Sequence, residues 1–134
     1  MTKKKKTTSV KKKTKKPRPY PDKVLIKGAL RRLMARSPVV VAVLNKAVHK
    51  TKKGPRGGKQ YKCKKCKKAF ANKDVQVDHI KPVVPTNTTL QDMDYNKIVS
   101  RIFCPPKNLQ VLCKTCHKAK TKEERAERKE AKLK

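Results

Sequence analysis

From Asp22 onward the chain alternates between helical and strand-like hydrophobic patterning. Ile26, Leu30, Leu33 and Met34 recur at spacings of four, three and one, which predicts an amphipathic helix over 22–36 with these residues inward. Ser37-Pro38 is a helix start, the serine as N-cap and the proline in the first turn. The run that follows, VVVAVLNKAV, has the β-branched content of a strand, but Val40, Leu44, Ala47 and Val48 fit a helical face. The cap decides for helix, with His49 on the surface near its end. Gly54, Pro55, Gly57 and Gly58 then predict a loop over 51–60.

Beyond the loop the period shortens. VQVDH, Val75 to His79, alternates as a short strand closed by Pro82, after a turn around Asn72 to Asp74. Tyr95, Ile98, Val99 and Ile102 return to helical spacing and are stopped by Pro105-Pro106, and NLQVL, Asn108 to Leu112, reads as a second strand. From Thr115, taken as N-cap, a charged helix runs to the end, its glutamates interleaved with Lys and Arg.

Charge changes this picture. Forty Lys and Arg against nine Asp and Glu give +31, a balance that repels itself and calls for a polyanionic partner, nucleic acid first. Met1 to Arg18 is basic and without an acid, and is expected to be a disordered arm, with Pro17, Pro19 and Pro21 as stiff punctuation after it. No apolar stretch is long enough to span a membrane, no lipidation pattern stands out, and the lysine run leads into no apolar signal region. The expectation is an intracellular protein with no membrane partner.

A hydrophobic share of 35% leaves only a small core, and small cores are commonly stapled by a metal. Cys63 and Cys66 form one CxxC, Cys113 and Cys116 another, and four thiolates are what a closed structural zinc site takes. Lys62, Lys64, Lys65, Lys67 and Lys68 crowd the first pair and favour thiolate over thiol. A redox CxxC is the competing reading, and it lacks the strand-helix context such motifs occupy. The fifth cysteine, Cys104, reads as a small buried hydrophobe at a helix end.

Between and beside the two pairs stand Asp78, His79, Asn108 and His117. Phosphodiester hydrolysis needs a base for water, a cation for the charge on phosphate, and a group that fixes the base. One carboxylate, two imidazoles and one amide contain each part. Taken singly, Asn108 also fits a turn cap and His117 a substitute zinc ligand. Because Asp78 and His79 are adjacent, alternation points them to opposite faces, so a shared site requires the strand to end or twist there.

In the order CxxC, DH, N, CxxCH, the stretches YKCKKC, VQVDHIKPV and NLQVLCKTCHKAKT resemble the zinc-knuckle HNH endonucleases often encoded by bacteriophages and mobile elements. The resemblance covers about Tyr61 to Lys122. It implies a small ββα-metal module, the nuclease domain over 53–134 of an α+β chain; the Lys-rich arm over 1–20 and the helical region over 21–52 are read from the residues and lie outside the resemblance. It further implies that Asp78 and His117 hold a catalytic Mg2+ or Mn2+, that His79 is the general base and Asn108 its orienting residue, and that Cys63, Cys66, Cys113 and Cys116 hold structural Zn2+. DNA is the implied substrate, with RNA as an alternative because phosphate contacts serve either polymer. Lys64, Lys65, Lys67 and Lys68 at the knuckle and Arg31 and Arg32 on the first helix are the candidate nucleic-acid contacts. The implied setting is the cytoplasm or nucleoid of a bacterial host. A non-catalytic zinc module that binds nucleic acid is the competing class, and it leaves the coincidence of Asp78, His79, Asn108 and His117 without a role.

Overall fold

Helix α1 (Asp22–Ala35) opens the part of the chain that the computed structural model describes, residues 21–134; the basic arm of the sequence reading lies outside these residues. The inward face of α1 is rotated from the one its apolar residues predict. Met34 is buried and Leu30 packs on the core, but Ile26 and Leu33 are exposed. Two lysines take the inward positions: Lys23 Nζ donates to the carbonyls of Gln91 (2.5 Å) and Met93 (2.8 Å), and Lys27 lines a cavity described below. A lysine can do this because its stem is apolar while its ammonium still finds oxygen partners.

Ser37 caps α2 (Pro38–Lys46) as the sequence predicts, its Oγ accepting from the Val40 amide at 3.4 Å. The helix ends sooner than its pattern suggested. Val48 begins strand β1 (Val48–Lys53), which turns back through a single-turn helix at Pro55–Gly57 into β2 (Lys59–Lys62). The segment expected to be a loop is therefore a hairpin, and His49 sits in a strand, its Nδ1 accepting from the amides of Thr51 (3.3 Å) and Lys52 (3.1 Å). At the hairpin tip Arg56 (φ +62°) and Gly57 (φ +74°) both take left-handed backbone, which glycine adopts without strain. Strand β3 (Ala69–Ala71) pairs antiparallel with β2, giving a three-stranded sheet in the order β1-β2-β3.

The second sheet holds the residues of interest. Strand β4 (Val75–His79) pairs antiparallel with β5 (Leu109–Cys113), in a register that places Val77 opposite Val111, Asp78 opposite Gln110 and His79 opposite Leu109. Between them runs helix α3 (Tyr95–Ile102), capped by Asp94, whose carboxylate accepts from the Asn96 amide at 3.2 Å. Helix α4 (Lys114–Leu133) follows β5 directly. Its N-cap is Cys113, not Thr115, because the thiol of Cys113 takes the Cys116 amide at 3.4 Å.

The fold is thus mixed α+β, with two small antiparallel sheets and four α-helices among the described residues. Its main core gathers Met34, Val40, Val83, Met93, Ile98, Ile102, Cys104 and Leu109, with Ile98 and Ile102 fully enclosed. Cys104 is one of its members, as read from the sequence. A smaller cluster of Cys63, Leu112 and Cys113, flanked by Cys66, Phe70 and Cys116, joins the knuckle to β5. Among the described residues no helix is long and apolar enough to cross a membrane.

Candidate metal centre and acid-base site

The first CxxC lies in the turn between β2 and β3, which closes through Lys67 N–H to Cys63 O (3.0 Å) and Cys63 N–H to Lys68 O (2.9 Å). Lys67 takes φ +61° to make the turn. The Lys64 amide donates to Val111 O at 2.9 Å and fastens the turn to β5, where the second CxxC begins. All four sulfurs come within 4.8 Å of one another, and Cys66 and Cys113 stand 3.9 Å apart. A tetrahedron of 2.3 Å zinc–sulfur bonds requires about 3.8 Å between sulfurs. The quartet can hold a metal ion, and four soft donors suit zinc.

Two of the thiols shift in opposite directions. Burial acts to raise the Cys63 pKa, but backbone amides of Cys113, Cys66 and Lys65 aimed at its sulfur outweigh it and bring it from 9.0 down to about 6. Cys116 goes the other way, to about 12, through hydrogen bonding to the Cys113 sulfur first, then burial, then Cys63 and Cys66. Hydrogen bonding and burial favour the thiol at Cys116, so a metal that takes all four sulfurs as thiolates has to displace that proton.

The second CxxC starts α4, and this places His117 one residue into the helix beyond Cys116, facing β4. Its Nε2 lies 3.7 Å from Asp78 Oδ1. The other Asp78 oxygen accepts from Lys120 Nζ (2.7 Å) and from Gln110 Nε2 (3.3 Å). Lys120 Nζ also donates to the His79 carbonyl at 2.6 Å and pairs with Glu124 at 2.8 Å. Burial acts to lower the Lys120 pKa, but the hydrogen bonds and charges of Asp78 and Glu124 prevail and raise it above 10.5.

Asp78 and His79 do leave β4 on opposite faces. Asp78 points with Gln110 toward α4, and the His79 ring turns toward α3, where its Nε2 lies 2.9 Å from Ile102 O. The strand ends at His79, so both still line one cavity of about 440 Å3, together with His117 and Lys120. A carbonyl only accepts, so Nε2 carries a proton in that contact, which leaves Nδ1 as the nitrogen open to the cavity side of the ring's chemistry.

Asn108 is placed differently from an imidazole-orienting residue. Its Oδ1 accepts from the Lys81 amide (3.1 Å) and its carbonyl from the Ile80 amide (2.8 Å), so it holds the backbone just after His79 and does not touch the ring. The group on the ring is the Ile102 carbonyl, which no side-chain pattern could reveal.

Of the candidate nucleic-acid contacts, Arg31 lines the 440 Å3 cavity and Arg32 does not. Lys64 and Lys67 line a separate groove, and Lys65 pairs with Glu123 at 3.6 Å. The sequence reading missed Lys27, Lys120, Glu124 and Arg128, all of which line the cavity with Asp78 and His79. A signal for three of them was present: His117, Lys120, Glu124 and Arg128 follow at three, four and four positions, one stripe of a helix. Lys27 is pulled below its ordinary 10.5 by burial first, then by the charges of Arg31 and Arg128.

Asp78 Oδ1 and His117 Nε2 lie 3.7 Å apart, wider than the roughly 2.9 Å between neighbouring corners of an octahedron with 2.0–2.1 Å bonds, so a divalent ion held by both would draw them closer. Lys120 occupies only the other carboxylate oxygen. Comparison with protein-family models, with curated proteins and with solved structures finds no match to this chain.

Proposed function

We propose that the chain is a metal-dependent endonuclease of the HNH type that hydrolyses DNA phosphodiester bonds. The observation that carries the reading is the convergence of Asp78, His79 and His117, from the end of a strand and the start of a distant helix, on one cavity with basic walls. The antiparallel pair β4–β5 running straight into α4 supports the ββα-metal identity, and the four-sulfur cluster at that junction supports structural zinc.

His79 is the base. With Nε2–H engaged by Ile102 O, the ring is fixed and its Nδ1 takes a proton from water as the water oxygen attacks phosphorus and the P–O3′ bond breaks. Asp78 and His117 would hold the divalent ion, which when bound supplies stabilisation of charge on the phosphate and on the departing oxygen. Arg31, Arg125 and Arg128 in the cavity wall bind and orient the phosphate. Lys120 ties the His79 carbonyl to Asp78 and Glu124, so it sets the end of β4 against α4. The setting that goes with this activity is intracellular, where DNA is reached.

Supercoiled plasmid incubated with the purified protein and Mg2+ or Mn2+ is expected to appear as nicked or linear forms, and to stay supercoiled without added divalent ion. Plasmid left intact under every divalent ion would remove the nuclease reading. One observation favours the competing class: the Lys120 ammonium already neutralises Asp78, as it would in a zinc module that only binds nucleic acid.

A further inference from the structure

A groove of about 870 Å3 runs between the β1–β2 hairpin, the first CxxC turn and the turn before β5. Its floor is apolar, from Val43, Ala47, Val48, Leu109 and Val111. Lys46, Lys50, Lys62, Lys64, Lys67 and Lys107 line it, all exposed, and no Asp or Glu does. The chain has no acid anywhere from Lys23 to Lys73, so the hairpin is basic throughout. Among the described residues, ion pairs engage Lys65, Lys114, Lys120 and Arg128, and none of the six. Gln110 lines the groove and also donates to Asp78 at 3.3 Å, so groove and catalytic cavity adjoin through one side chain.

We propose that this groove is a track for the phosphate backbone of duplex nucleic acid, which it grips without reading sequence. The partner is that of the proposed function, on which the inference rests. Six ammonium groups on flexible stems suit phosphate contacts and carry no base code. Gln110 is the one side-chain amide in the lining. No Phe, Tyr or Trp lines the groove and His49 is its one aromatic ring, so it lacks the row of aromatic platforms on which successive bases of a single strand stack. Lys46, Lys50, Lys62 and Lys107 are thereby assigned to DNA binding, beyond the knuckle lysines.

The test is binding of a short mixed-sequence duplex to the full chain at graded salt, without added divalent ion. Lys46→Gln, Lys50→Gln, Lys62→Gln and Lys107→Gln combined are expected to flatten the plot of log affinity against log salt by up to about 3.6, roughly 0.9 per phosphate contact on duplex DNA. The same number of charges removed from α4, at Lys118, Lys122, Lys129 and Lys132, is expected to change the slope by no more than about one contact. Lys50→Gln with Lys107→Gln alone, which leaves β2 intact, is expected to give about half the full shift. Zinc content reports that each variant is folded. Equal slopes for the groove and α4 variants, an unchanged slope in the groove variant, or tighter binding of the parent to a single strand of the same sequence would overturn the proposal. Because cleavage is not required, a parent that leaves plasmid intact while the groove variant loses its slope sinks the nuclease reading and keeps the groove.

Discussion

Cys113→Ser is expected to abolish stoichiometric zinc binding and to unfold the knuckle end of the molecule. Serine keeps the helix cap, since it is among the favoured N-cap residues, so the substitution isolates the loss of a soft ligand from the loss of the cap. The effect should be large because of what surrounds the site. The cluster that joins the knuckle to β5 consists of Cys63, Leu112 and Cys113 with Cys66, Phe70 and Cys116, so four of its six members are the ligands themselves. Little apolar surface remains to hold the two parts together without a metal. In small zinc domains the binding free energy, on the order of 10 to 16 kcal/mol, is folding free energy. Elemental analysis should give one zinc per parent chain, and a thermal melt of Cys113→Ser should lose its cooperative transition or shift far down. A variant that keeps both its zinc and its melting temperature would end the structural-zinc assignment. Cys104→Ser is the contrast: its site lies in the main core, so it should keep zinc and lose only the roughly 1–3 kcal/mol of burying a hydroxyl.

Acid should release the metal in a defined direction. The Cys63 pKa falls from 9.0 to about 6 on folding, so between these values the unfolded chain binds more protons and folding is favoured. That contribution is complete above about 9 and is lost as pH falls through about 6. Protons also compete with zinc for all four sulfurs, so zinc loss and unfolding should appear together on the acid side. Loss of zinc on raising the pH from neutral, with the acid side unaffected, would contradict this account.

Where the sequence spoke about this molecule, it did so through local rules that tertiary contacts left alone. Ser37-Pro38 starts α2, the helical spacing of Tyr95, Ile98, Val99 and Ile102 forms α3, the strand patterns of VQVDH and NLQVL pair with each other, and the four cysteines meet. The misreadings arise where a distant partner decides. The glycines near Gly54 mark a hairpin tip as readily as a linker, and what makes a hairpin is pairing with β3 and the bond from the Lys62 amide to Ala47 O. Lys23 and Lys27 look like the outer face of α1, yet backbone carbonyls at Gln91 and Met93 and the cavity wall draw them inward. The candidate site was legible as residue types and not as contacts. Asn108 was expected to orient the base; it holds the Ile80 and Lys81 amides just after His79, and the Ile102 carbonyl takes the ring.

His79→Ala is expected to lose cleavage by a factor on the order of 100 to 10,000, the usual size of general-base catalysis. Affinity for DNA and zinc content should stay near those of the parent, because the ring contributes one hydrogen bond to Ile102 O and no ligand to the cysteine cluster. Asp78→Ala and His117→Ala should also lose cleavage, through a weakened hold on the divalent ion. Excess Mg2+ or Mn2+ should therefore restore part of their activity and none of that of His79→Ala. Asn108→Ala should fall between these, since it supports the backbone after His79 from Ile80 to Lys81 and transfers no proton. Its defect should come with a lowered melting temperature, since two backbone amides lose or shift their acceptors. The rescue pattern separates the two roles, because a missing base cannot be supplied by metal and a weakened metal site can be filled by mass action. A His79→Ala protein that cuts as well as the parent would remove His79 from the mechanism, and rescue of His79→Ala by metal would move it to the ligand set.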